Sequence, residues 1–420
     1  MKKYVLISSL ILGLSFETYA ATSGSCGEGC SFVINDDGHM VINGMSNATT
    51  SYNGPFFPAL DLSVIHSVTS VSFNENETNI SIPDKAFHYF SNLGSVDLSN
   101  VTSIGASAFR DTNLEKVDLS NVTSIGASAF RDTNLEKVDL SNVQLLEGSL
   151  IFAFTPIKEA ILPNTLTKIP PEIFYSTNLE KITLPDTLKE IGSNAFMDTN
   201  LKEIVIPEGV EKIWNQAFLG TDLTEVTLPS TLKLLGADVF RGTNITDLVI
   251  PNSTVEIMPN AFFCPPEEEC PLKSITVPDD LKLDISMFNH AISDTISMNK
   301  WAQESGDEWM MEEMEWRIQF AKEEFATLSN IQIVCQGDIE KCKSNFSWTE
   351  EYQELFGNMP IQIISSEDVG QKKVKNADGS ITIYDADNNI IGYKNKRIYT
   401  VEEASRLSKP TGNTFKLRYK

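Results

Sequence analysis

Histidine is scarce, with four in 420 residues. That leaves little material for metal ligation or for acid–base chemistry near neutral pH. None follows His290, so the C-terminal region holds neither a Cys–His nor a Ser–His pair of its own. H-E-x-x-H, a glycine-rich phosphate loop and G-x-S-x-G are missing too. The chain is therefore expected to be non-enzymatic, with no metal and no cofactor. Positive charge is the second shortage: 33 Lys and Arg stand against 57 Asp and Glu, a formal charge of −24. This excludes nucleic acid and anionic lipid as main partners, because both are bound by basic patches. Long apolar runs are the third. The run from Tyr4 to Leu14 is too short to cross ~30 Å of hydrocarbon, and no later segment does better.

That run has another use. Lys2 and Lys3 precede it, and Thr18-Tyr19-Ala20-Ala21 follows. A basic start, a short apolar stretch and small residues predict a secretory signal peptide over 1–20, cut after Ala20. Cys26 lies too far beyond the run for a lipoprotein. Export explains the six cysteines, which fall in three close pairs: Cys26/Cys30, Cys264/Cys270 and Cys335/Cys342. An even number in an exported chain points to disulfides, and local pairing is expected, although other connectivities are open. Zinc is the alternative, but the spacings are irregular and no histidine lies near any pair.

What the sequence has in excess is phenylalanine, 23 residues against 10 Tyr and 5 Trp. The excess is periodic. Phe87, Phe109, Phe130, Phe152 or Phe154, Phe174, Phe196, Phe218, Phe240 and Phe262 recur in steps of mostly 22 residues. Pro163, Pro185, Pro207, Pro229 and Pro251 keep the same step. Val96–Lys116 is repeated without change as Val117–Lys137, a recent tandem duplication. In the unit from Leu179 to Asn200, Ile182 and Leu184 alternate as in a short strand. Pro185 ends it, since proline cannot donate to a ladder. Leu188 and Ile191 turn inward, Gly192 permits a bend, and Phe196 is expected to stack between Phe174 and Phe218. Each such ring contributes roughly 1.5–3 kcal/mol when buried. One coil cannot close its own core, so stability arises between neighbours. With strands ~4.8 Å apart, nine coils make a rod roughly 40–45 Å long.

A period of this length with L-x-x-L-x-L spacing resembles a leucine-rich repeat solenoid. More narrowly, Ile104-Gly105-Ala106-Ser107-Ala108-Phe109 and Leu184-Pro185-Asp186-Thr187-Leu188 resemble the BspA-like leucine-rich repeat family. The opening Cys26-Gly27, Phe32, Ile34, Asp37-Gly38, Met40, Ile42 and Gly44 is similar to the module that often precedes these repeats. By its residues it is a hairpin turning at Asp37-Gly38, an N-terminal cap. The fold class expected is an α/β solenoid, a right-handed coil of short parallel strands, with that cap and a C-terminal α+β region. The domains expected are the signal peptide 1–20, the β cap module 21–79, and the solenoid 80–285 of about nine 21–22-residue units. An acidic helical C-cap over 286–330 and a small α+β region over 331–420 with a basic tail complete them. The resemblance implies a bacterial surface or secreted protein that binds macromolecules and is not an enzyme in its repeats.

Outward strand residues are the binding candidates: Lys116, Asp118, Lys137, Asp139, Lys181, Thr183, Glu203, Glu225, Thr227 and Asp247, with Val205 and Val249 beside them. A curved repetitive sheet offers a wide surface for an extracellular or cell-surface protein or glycan. No aromatic ladder lies on it, which weighs against sugar stacking. The unit around Gln144–Pro156 departs from the pattern, and Pro265–Glu269 is a surface loop between Cys264 and Cys270.

After Pro278 the period stops. Trp301 to Leu328 reads as one helix with Met310, Met314, Arg317/Ile318, Ala321, Phe325 and Leu328 on a stripe. Trp301, Trp309 and Trp316 are expected in its core, the alternative being a partner-binding helix whose Trp/Met content suits an interface. Ala302 to Asn330 carries eight acidic and two basic residues, Tyr393 to Lys420 two acidic and eight basic. The helix is expected to cap the solenoid, and the tail to pair with it or with a polyanionic surface. Strands are expected at 331–334, 361–364 and 381–384. Asp385–Asn389 is a hairpin turn and not a calcium loop, since Ile390 and Lys396 stand where glycine and glutamate are needed. The function expected is an exported, non-enzymatic binding or adhesion protein. The alternatives are a secreted enzyme or toxin acting through 286–420, and a structural cell-envelope protein.

Overall fold

The computed structural model describes residues 22–48, 62–263, 271–306, 308–328, 331–347, 350–357, 359, 361–366, 372–375, 381–384 and 390–394. The signal segment, the Cys264/Cys270 pair with its loop, the 385–389 turn and the basic tail beyond Lys394 lie outside them. The chain forms two units, Met1–Ile363 and Ile364–Lys420. Beyond residue 366, the described part of the second is an antiparallel sheet of Lys372–Lys375, Ile381–Tyr384 and Ile390–Lys394.

The first unit opens on three antiparallel strands, Thr22–Gly27, Cys30–Ile34 and His39–Asn43. Phe32, Ile34, Met40 and Ile42 alternate inward, and Cys26 is bonded to Cys30. The third strand then pairs in parallel with Ser70–Phe73, which starts the coiling.

Each coil has three sides. The first is a strand, as in Glu159–Ile161 pairing in parallel with Lys137–Asp139 and Lys181–Ile182. The second is a shorter strand, and Lys168–Ile169, Glu190–Ile191, Lys212–Ile213, Leu234–Leu235 and Glu256–Ile257 form one parallel ladder. The third is the phenylalanine turn. There Asn194 and Asp198 take left-handed φ of 56° and 55°, a conformation that costs a side-chain residue about 1–2 kcal/mol. Every second N–H of the turn aims at the next coil. Asn194, Phe196 and Asp198 donate to the carbonyls of Asn215, Ala217 and Leu219 at 3.0, 2.9 and 2.8 Å. These inter-coil bonds offset the strain.

The rings stack inside these turns. Phe174 and Phe196 lie 6.0 Å apart at 16°, Phe196 and Phe218 5.5 Å apart at 7°. The column runs from Phe87 through Phe109, Phe130 and Phe152 to Phe240. Phe152 and not Phe154 holds the place in it. Phe154 is exposed under the Arg131 guanidinium, 4.9 Å from its ring centre. Phe262 meets Phe288 at a tilt of 49°.

Gly192 serves a different purpose from the expected bend. Its φ is ordinary, but a Cβ there would sit 2.7 Å from the Ile169 carbonyl oxygen and 2.7 Å from Pro171 N. Gly105, Gly126 and Gly236 meet the preceding coil's backbone in the same way. At these coils glycine lets the chain close to main-chain contact, whereas Trp214 and Met258 carry side chains at the equivalent place and make the same inter-coil bond, to the carbonyls of Ile191 and Leu235.

The coil outlives the sequence period. Ser274–Val277 pairs in parallel with Gln332–Cys335, and Gln362–Ser365 extends that sheet, while Leu283–Asp284 pairs with Phe346–Ser347. Helices are inserted between these rungs. The single helix expected over 301–328 is two, His290–Ser305 and Glu308–Thr327. Gly306 stands at the break with a left-handed φ of 69°, a position that ends helices. Ile292, Ile296, Met314, Ala321 and Leu328 are buried, but Trp301, Trp309 and Trp316 are exposed rather than in the core. Cys335 is bonded to Cys342, which sits in the short helix Ile339–Ser344.

Candidate binding face

Strand alternation builds the face. Val138, Ala160, Ile182, Ile204 and Leu248 point into the core, so the residues on either side point out. Parallel register then aligns those residues in two rows. The first runs Lys137, Glu159, Lys181, then Glu203, Glu225, then Asp247, Ser274, Gln332. The second pairs Asp139 with Ile161, Val205 with Thr227, and Val249 with Thr276. All ten candidates read from the sequence are exposed. Lys116 and Asp118 lie in an extended stretch outside any strand, and Thr183 lies one residue past Ile182, where its strand ends.

Besides Ser274, Thr276 and Gln332 at the C-terminal end, the rows contain Glu159 and Ile161. They follow the irregular 144–156 unit, which hid them. Counting back one period from Lys181 and Thr183 finds both.

The charges divide along the face. At its N-terminal end Lys137 Nζ bonds Glu159 Oε2 at 2.7 Å. Further along, Glu203 and Glu225 stand opposite each other in register, and like charges so placed repel. With Glu180 and Asp222, against Lys202 alone, they line a depression of about 670 Å³. Exposed β-branched residues line the second row: Ile161 at 56%, Val205 at 73% and Val249 at 58%.

Asp118 and Asp139 have a structural task. Their carboxylates accept from Ser120 N at 3.0 Å and Ser141 N at 2.9 Å, closing the turns beyond the strand. The bonds from the Ser120 backbone and hydroxyl hold the Asp118 carboxyl below its ordinary value. On the second side of the coil Glu190 is the electrostatic centre, with Lys168 at 3.6 Å, Lys212 at 3.4 Å and Trp214 Nε1 at 3.1 Å. Burial alone raises its carboxyl, but the bonds from Trp214 and Lys212 and the charge of both lysines bring it below the usual range. Among the described residues no group of three or more His, Cys, Asp or Glu is placed to hold a metal ion. No described helix is long and apolar enough to cross a membrane.

The family profile described as "BspA type Leucine rich repeat region" matches residues 64–174 and 147–266, in six copies. The repeat region belongs to the BspA-type leucine-rich repeats. Among solved structures, the chain is similar to a leucine-rich repeat protein from Eubacterium ventriosum, with 19% identity, 64% of this chain and 87% of that one covered, and a TM-score of 0.40. It is also similar to a leucine rich cell surface protein from Faecalibacterium prausnitzii, with 18% identity, 63% and 91% covered and a TM-score of 0.32. The pneumococcal vaccine antigen PcpA is 17% identical, with 82% and 98% covered and a TM-score of 0.38. No curated protein matches the chain at a significant level.

Proposed function

We propose that the chain is an exported surface protein that binds a protein or glycan through the strand face of its BspA-type coils and does not catalyse a reaction. One observation carries the reading. Side chains on successive coils stand in register on one face and stay in solvent, including Val205 at 73% exposure between the exposed Glu203 and Thr227. β-branched residues suit any strand, but Ile161, Val205 and Val249 all stand exposed on one row of one face, the kind of apolar surface an interface uses. Export is supported by the basic, apolar and small-residue pattern over 1–20 and by the two bonded cysteine pairs.

Two measurements test it. Protease treatment of intact cells should remove the protein, and protection of the protein would refute surface exposure. The purified full chain should capture a ligand from extracellular matrix or cell-surface material. Val205→Arg/Glu225→Arg should abolish capture, while Lys168→Ala/Lys233→Ala, on the second ladder, should not. Equal capture by both variants would remove the strand face from the account.

A further inference from the structure

The helix Glu308–Thr327 carries an aromatic stripe that the fold does not use. Its inner side is Met314 and Ala321, both buried. Trp309, Trp316 and Phe320 lie at positions i, i+7 and i+11, which share one helix face. They are 68%, 63% and 43% exposed. Trp316 and Phe320 already stack, 5.7 Å apart at 15°, which makes a flat apolar plate. Tryptophan left in solvent in this way is the residue type that dominates protein interfaces.

The charge beside the stripe says what would cover it. The helix has six glutamates against one arginine and one lysine. Glu313, i+4 from Trp309, and Glu323, i+3 from Phe320, flank the stripe. Arg317 Nε lies 3.1 Å from Glu313 and offsets that one charge, which still leaves the helix four negative charges net. A second copy would bring the same carboxylates against these, and an anionic bilayer would repel them.

We propose that this stripe is a docking surface for a cationic amphipathic helix of a partner protein. The apolar side of that helix would lie on Trp309, Trp316 and Phe320, and its Lys and Arg side chains would face Glu313 and Glu323. The spacing of the stripe is that of a two-helix seam.

The test titrates the full chain with a synthetic amphipathic Leu/Lys helix and follows tryptophan emission and binding heat. A scrambled peptide of the same composition, a Leu/Glu helix and vesicles of phosphatidylglycerol are the comparators. Saturable binding of the Leu/Lys helix is expected, with a blue shift, and about tenfold weaker binding of the scrambled peptide. Trp309→Ala/Trp316→Ala should weaken binding about tenfold or more while leaving the far-UV spectrum and melting temperature unchanged. Glu313→Lys/Glu323→Lys, which keeps the aromatic plate, should turn the preference towards the Leu/Glu helix. Equal binding of the scrambled peptide would show attraction by net charge alone and overturn the proposal. So would unchanged binding by the tryptophan variant, vesicle binding through the tryptophans, or a dimer that the tryptophan variant dissolves.

Discussion

The Thr199 hydroxyl donates to the carbonyl oxygen of Phe196 at 2.9 Å, and Thr199 is buried. The same bond recurs from Thr112 to Phe109, Thr133 to Phe130, Thr155 to Phe152, Thr177 to Phe174, Thr221 to Phe218 and Thr243 to Phe240. The turn that seats each ring thus has its carbonyl satisfied within its own coil. Thr199→Val keeps the shape and removes the donor, which leaves a buried carbonyl unpaired at about 1–3 kcal/mol. Thr199→Ser should keep most of the stability. Urea unfolding followed by circular dichroism checks this, and equal midpoints for the two variants would contradict it.

Gly192→Ala should destabilise by about 1–3 kcal/mol, because its Cβ would press on the main chain at Ile169, Pro170 and Pro171. Gly94 has an ordinary φ and nothing closer than the Thr69 carbonyl oxygen at 3.9 Å. Gly94→Ala should therefore be neutral or slightly stabilising. Thermal melts of the pair separate close coil contact from a general intolerance of substitution.

His88 is buried with Nε2 3.1 Å from Asp111 Oδ2. Burial holds its imidazole below the ordinary value, against the pull of Asp111 and with the help of Arg110 and Lys85. A histidine depressed in the fold takes its proton more readily when unfolded. Its contribution is therefore fully present above ~6.5 and is lost as pH falls below that value. Wild type should lose denaturant resistance between about pH 7 and pH 5, and His88→Gln should lose less over that window. Identical slopes would mean His88 does not titrate there.

The fold was legible where one residue type must recur to fill one place. A ring at each centre dictates a step, so the Phe column could be read directly, and Pro185 with its equivalents marked strand ends. Thr199 could not be read, because a threonine between Asp198 and Asn200 looks like surface until its hydroxyl is seen to bond Phe196. Among the left-handed positions, Asn194 and Asp198 are residue types that favour that conformation, but Ser107 and Glu172 carry no such mark and hold it because their N–H groups bond the next coil. Beyond Pro278 the coil continues with a helix pair spliced into it, and a spliced period leaves no repeat to count. On the binding face, spacing placed Lys137, Lys181, Glu203 and Asp247 outward, but not the assignment of Asp118 and Asp139 to turns. That depends on where the Ser120 and Ser141 amides point. Tryptophan suits a core and an interface alike, so only the burial of Met314 and Ala321 on the opposite side of the helix places Trp309 and Trp316 outward.

The identical segments Val96–Lys116 and Val117–Lys137 occupy consecutive coils, with Phe109 and Phe130 stacked at 14° and the same threonine bond in each. Because main chain meets main chain at every junction, a copied unit joins its parent as it joined its former neighbour. Chain length is then an adjustable measure. Each in-frame copy or loss of this segment moves the N-terminal hairpin by ~4.8 Å relative to the acidic end of the face, while the surfaces at both ends keep their own structure. Populations carrying different copy numbers would present the same two surfaces at graded separations, like marks on a ruler.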